Sequence, residues 1–273
     1  MGSRSIRRRI PGVAPLTLLL LCLFIGHPGR AQAQNSEDQE PRDPRSLEIP
    51  IGTVLPVRLN HVLSSKRAKE GQAITGRIMQ DVPLPNDCKI PEGAQVLGTI
   101  LSVQRSANAT NGRIAIRFDA LAIHRNRIPI STNLRALAGF MEVQSAQTPE
   151  ISPGFGTPSS WATTRQIGGD EVYGVGGQVT DQSSNTVGKG VFGGVLVHVR
   201  APAGSQCHGA MDAEDRLQAL WVFSSDACGV YGLTGVTIAQ AGRTQPIGEI
   251  ILIAEQKDVL IRGASGVLLR VNR

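Results

Sequence analysis

The sequence predicts an all-β fold, a barrel or sandwich of short antiparallel strands with a long crossover rich in Gly, Ser and Pro. Three observations carry this expectation. From Ile49 onward, short runs rich in Val, Ile and Thr are punctuated by Gly and Pro. In "RIAIRFDALAI", Ile114, Ile116 and Phe118 alternate with Arg113, Arg117 and Asp119. That period of two suits a half-buried strand and cannot serve as a helix stripe. At the end of the chain, "IGEIILIAE", "DVLIRG" and "SGVLLRV" are three closely spaced runs joined by tight polar turns.

Residues 1–33 precede these runs and have the layout of a secretory signal peptide. Arg4, Arg7, Arg8 and Arg9 form a basic start, residues 16–26 are almost unbroken apolar, and Ala31-Gln32-Ala33 is a small-x-small cleavage site. Cleavage is expected before Gln34. The apolar run is about half of the roughly 20 residues that a spanning helix needs, and no later segment comes close, so no transmembrane helix is expected after cleavage. Cys22 lies in this run after Leu21, where lipoprotein processing wants a small side chain, which argues against a lipid anchor. Residues 34–48, "QNSEDQEPRDPRSLE" with little to bury, are expected to be a disordered leader.

Residues 49–138 form the first β region. "GTVLPVRLN", "GQAITGRIMQDV" and "GAQVLGTILSVQ" supply three strands ahead of the alternating run. "HRNR" at 124–127 is then a hairpin tip feeding "IPISTNLRALA". Residues 139–194 are poor in apolar periodicity, and "PEISPGFGTPSSW" and "TDQSSNTVGKG" suit a long loop or crossover. An irregular stretch of that length is unusual in a compact fold, so it points either to function or to elements hidden from the pattern. Residues 195–273 form the second β region. Within it, "DAEDRLQALWVF" suits a helix opening at Asp212 or a strand through Trp221, Val222 and Phe223, and both stay open.

The stretch 49–137 resembles the C-terminal periplasmic barrel of the TrbI family, scaffold subunits of type IV secretion systems. The resemblance rests on "IPIGTVLPVRL", "ITGRIMQDV", "IPEGAQVLGTI" and "GRIAIRFDALAI" followed by "RIPI". Ile90, Pro91, Gly93, Val96 and Gly98 match the family's turn and following strand. Pro91 presets such a turn and Gly93 supplies the freer dihedrals. The resemblance implies a β-barrel in the bacterial cell envelope and an envelope protein as partner. The family's cytoplasmic tail, transmembrane helix and inserted helical pair have no counterpart here, so the pattern fits an exported relative that reuses the barrel.

Charge excludes one class of partner. Residues 1–33 hold five arginines and no acid, so the net charge of +6 falls to about +1 once they are removed. The basic balance belongs to the signal and is no nucleic-acid footprint. "SSKRAKEG" at 64–71 is a small basic loop expected to be solvated.

The remaining cysteines are Cys88, Cys207 and Cys228. In an oxidising compartment two should pair. Cys88 lies in the TrbI-like section, whereas Cys207 and Cys228 are the only cysteines of the second half, so they are expected to form the bridge. That pairing would consume the thiolate a Cys228 hydrolase needs.

No catalytic set is complete. A Gly-x-Ser-x-Gly elbow is absent, "GASG" at 263–266 being one residue short, and the triad that could be drawn from Cys228, His198 or His208, and Asp226 loses its thiolate to the expected bridge. His198, Cys207, His208 and Cys228 match no compact zinc spacing, and "GKGVFGG" at 188–194 has glycines entering a strand rather than a dinucleotide fingerprint. Two Trp and two Tyr make a thin platform for carbohydrate stacking. No cofactor or metal is expected. The expectation is a non-enzymatic exported structural or interaction module, periplasmic or extracellular. The alternatives are an envelope hydrolase using Cys228 or Ser225, or a secretion channel component; self-association stays open.

Overall fold

The structure is a computed structural model that describes residues 49–107, 110–150, 162–201, 207 and 216–272. The chain is nearly all β and mostly antiparallel. In the first region it forms β1 (Val54–Leu59), β2 (Leu63–Ser64), β3 (Ala73–Ile78), β4 (Val82–Pro83), β5 (Lys89–Ile90), β6 (Gln95–Gln104), β7 (Gly112–Ile123), β8 (Asn126–Pro129) and β9 (Thr132–Ala138). All the runs expected there are strands. The two-residue tip between β7 and β8 places His124 at a φ of 54°.

Residues 139–194 correct the expectation of an irregular crossover. They hold a short helix, α1 (Phe140–Ala146), and β10 (Thr163–Arg165), β11 (Glu171–Tyr173), β12 (Gln178–Thr180) and β13 (Thr186–Val191). These strands are three to six residues long; β10 carries no buried aliphatic side chain and β11, β12 and β13 carry one each, Val172, Val179 and Val187, too few to print a period on the sequence. The stretch "ISPGFGTPSSW" lies outside the described residues. The chain continues through β14 (Gly194–His198), β15 (Leu217–Ala219), β16 (Gly229–Tyr231), β17 (Val236–Ala241), β18 (Ile250–Ala254), β19 (Leu260–Ile261) and β20 (Gly266–Val271). The ambiguous run resolves as strand β15 followed by a turn with Trp221 at a φ of 52°; its acids lie outside the described residues.

Ten strands form the larger sheet in the order β16-β9-β20-β1-β3-β6-β7-β18-β17, with β8 added to β7. It curls around one core containing Leu55, Ile78, Ile100, Phe118, Leu121 and Ile250, yet it does not close into a barrel. Six strands, β10 to β15 in sequence order, form the second sheet. Between that sheet and the outer face of β1, β9 and β20 lies a second core, joining Val54, Ala136 and Leu268 to Val172, Val179, Val195, Val197 and Phe223. Those three strands are therefore covered on both sides. Their near-continuous apolar runs, "VLPVRL", "LRALA" and "GVLLRV", are the sequence trace of that double burial.

Candidate functional site

The segment "SSDACGVYG" is where the chain leaves the second sheet and enters the first. Ile167 and Phe223 form an isolated bridge, with Ser224 N–H donating to the Ile167 carbonyl at 2.9 Å. Ser224 Oγ donates to Asp226 Oδ1 at 2.7 Å, and Ala227 N–H closes a turn onto the Ser224 carbonyl at 3.1 Å. Space here is tight. A β-carbon at Gly168, whose φ is +115°, would lie 1.8 Å from Ser224 Oγ. After the turn, β16 runs parallel to β9.

A buried polar set anchors this crossing. Ser225 N–H donates to Asp170 Oδ2 at 2.7 Å, and Arg200 N–H donates to the Ser225 carbonyl at 2.8 Å. Burial pushes the Asp170 carboxyl above its usual range; the Ser225 hydrogen bonds oppose this, and the charges of Asp226 and Asp181 add to it. Arg135 occupies a bulge: β20 pairs Leu268 with Ala136 and Leu269 with Leu134, leaving it as the extra residue of β9. Only 1% exposed, Arg135 donates through Nη2 to the Arg200 carbonyl and, at 3.5 Å, to that of Ser225. Sequence reading missed Arg135 because a bulge has no periodic signature.

The expected disulfide is present. Cys207 and Cys228 are bonded with α-carbons 6.0 Å apart, and Cys88 is free and exposed. The bridge occupies the Cys228 sulfur, and Ser225 is 1% exposed, so neither candidate nucleophile faces solvent. His61 and His124 fall at opposite ends of the larger sheet and His198 is exposed on β14; His208 lies outside the described residues. Among the described residues no three His, Cys, Asp or Glu gather as metal ligands.

A cavity of about 410 Å³ lies along the open seam of the larger sheet. Its described walls include Leu134 and Arg135 of β9, the Cys207–Cys228 bridge, Val230 of β16, and Val236, Ile238 and Ala241 of β17. Among the described residues β17 pairs only with β18, so its second edge faces this gap. The seam joins elements distant in sequence, and only the bridge cysteines were legible beforehand. No family model, no curated protein and no solved structure matches the chain.

Proposed function

We propose that the chain is an exported, non-enzymatic interaction module of the bacterial cell envelope, periplasmic or extracellular, that holds an envelope protein at the open seam. The observation that carries this reading is the edge of β17 that is unpaired among the described residues, beside a cavity whose described walls are largely aliphatic. A free edge offers main-chain groups to an extended segment, and an adjoining apolar cavity takes its side chains. The disulfide fits an oxidising compartment, and the TrbI-like motifs of residues 49–137 fit a scaffold role. The hydrolase alternative has less support, because Cys228 is bridged and Ser225 is buried.

The test is photo-crosslinking in cells. A photoreactive residue at exposed Thr237 on β17 should trap one defined envelope partner, and the same residue at exposed Gln104 should trap none. The recovered chain should begin at Gln34 by intact mass. Equal trapping at both positions, or covalent labelling of Ser225 by a fluorophosphonate, would overturn the reading.

A further inference from the structure

We propose that one end of the larger sheet docks on an anionic lipid surface. Antiparallel pairing brings the close of β1, the start of β3, the close of β6, the start of β7 and the close of β18 to this end. The β2–β19 ribbon is also there, with Leu260 opposite Ser64 and Ile261 opposite Leu63. Asp258 fastens the loops together. Its Oδ1 accepts from Ser65 Oγ at 2.8 Å and from Ser106 N–H at 3.0 Å, while Ser65 N–H donates to the Val259 carbonyl at 3.0 Å.

On the surface so formed, Lys66, Arg67, Lys69, Arg105, Lys257 and Arg262 are all exposed. Lys257 Nζ donates to the Thr234 carbonyl at 2.6 Å. The other five form no ion pair and no side-chain hydrogen bond among the described residues. The acids at this end are Glu70, Glu255 and Asp258, and Asp258 is engaged by Ser65 and Ser106. Beside the cations, Val62 is 55% exposed and Leu260 52%, while their ribbon neighbours Leu63 and Ile261 are buried. Strand alternation turns Leu260 away from the core between buried Val259 and Ile261, and Val62 is exposed just ahead of β2.

Lys66 and Arg105 lie within the field of Asp258, yet the cations outnumber the acids here, and aliphatic tips among such exposed cations are the composition of an interfacial surface. The tips enter the acyl boundary, the charged heads stay at phosphate level, and each cation adds attraction to an anionic leaflet. An acidic protein offers carboxylates at fixed positions, whereas these five side chains have no bonded partner to set their geometry. Laterally mobile phosphates suit them better. This inference rests on the loop end alone and is independent of the seam.

The test is vesicle co-sedimentation with residues 34–273, which contain both hydrophobic cores in full. Vesicles of equimolar phosphatidylglycerol and phosphatidylcholine should bind the protein roughly tenfold or more tightly than pure phosphatidylcholine, and about 1 M salt should abolish the difference. The triple variant Lys66→Glu, Arg67→Glu, Lys69→Glu should lose that preference, and Val62→Ser with Leu260→Ser should weaken binding at least threefold. Arg125→Glu, at the opposite end, should bind like the parent. Unaltered melting temperatures establish that each variant is folded. Equal binding to both vesicles, an unaffected triple variant, or an equal loss in Arg125→Glu overturns the proposal. So does an unaffected serine double variant, which would leave a purely electrostatic contact such as an acidic protein.

Discussion

The side-chain amide of Gln80 pairs with the backbone of Val195 as a strand residue would. Its Nε2 donates to the Val195 carbonyl at 2.8 Å and its Oε1 accepts from Val195 N–H at 3.2 Å, while Trp221 N–H donates to the same oxygen at 2.8 Å. A residue that follows β3 thus joins the larger sheet to β14 of the second. Gln218 works the other way, its Oε1 accepting from Val54 N–H of β1 at 3.1 Å.

Replacing Gln80 with Ala should leave two buried N–H groups, those of Val195 and Trp221, without a partner, while the Val195 carbonyl keeps the bond from Leu220 N–H at 3.2 Å. At ~1–3 kcal/mol for a buried group left unsatisfied, with some repaid by entering water, a loss of about 3 kcal/mol is expected in urea unfolding. Amide exchange at Val195 and Trp221 should accelerate. An unchanged midpoint would show that the two sheets are joined by packing alone.

Ile116 and Arg117 test the alternation in β7. Ile116 is buried and pairs with Ile250 and Ile100, whereas Arg117 is half-buried on the opposite face. Ile116→Asp should cost several kcal/mol by burying a carboxylate, and Arg117→Asp about 1 kcal/mol or less. Equal melting temperatures would contradict the burial.

The Cys207–Cys228 bridge spans 21 residues of sequence, and closing such a loop stabilises the fold by roughly 3 kcal/mol. Cys207→Ser and Cys228→Ser should therefore lower stability alike, and Cys88→Ser should change little. Before reduction, a thiol reagent should label one cysteine, Cys88, in the processed protein. Labelling of Cys228 would contradict the bridge.

Asp170 gives a pH signature. Its carboxyl is raised above 3.8 by burial, so between 3.8 and the raised value the folded state holds a proton that the unfolded state has lost. Stability from this group grows as pH falls through that window, and above it the buried charge is a cost. Asp81, Asp181 and Asp258 act oppositely. They are lowered by the Lys89 side chain, by Asn185 N–H and by Ser106 N–H respectively, so their contributions are present above 3.8 and lost as pH falls through their depressed values. Asp170→Asn removes the charge yet keeps an acceptor for Ser225 N–H. The variant should be more stable than the parent near neutral pH, with the gap closing as pH falls toward 3.8. A gap independent of pH would show that burial does not govern this carboxyl.

Strand identity was legible wherever a strand ran long enough to repeat its period. β6 and β7, at ten and twelve residues, are the clearest cases. In β7 the expected alternation holds for Ile114, Ile116 and Phe118, with two exceptions: Ala115 and Leu121 are fully buried although both are in phase with Arg113 and Arg117, Leu121 lying beyond the register shift at Asp119. The strands of residues 163–191 escaped notice because three residues cannot display a period and their glycines resemble loop punctuation. Those glycines are demanded by contact. A β-carbon at Gly188 would lie 2.1 Å from the Leu196 carbonyl oxygen across the β13–β14 pair.

The sequence by itself determined the all-β class, the positions of the longer strands and the choice of bridged cysteines, because the strands are written in local spacing and Cys207 and Cys228 are the only cysteines of the second half. Tertiary structure alone decided that β1, β9 and β20 are covered on both faces, that Arg135 is a buried bulge residue, that Gln80 ties two sheets and that β17 pairs only with β18 among the described residues. The physical reason is range. A strand's period is set by its neighbours two residues away, whereas β1 meets β20, β9 meets β16 and Gln80 meets Trp221 across separations that no local pattern records. Even the segment "SSDACGVYG" took its meaning this way: buried Ser225 is held by Asp170, Arg200 and Arg135, brought to it from three other parts of the fold.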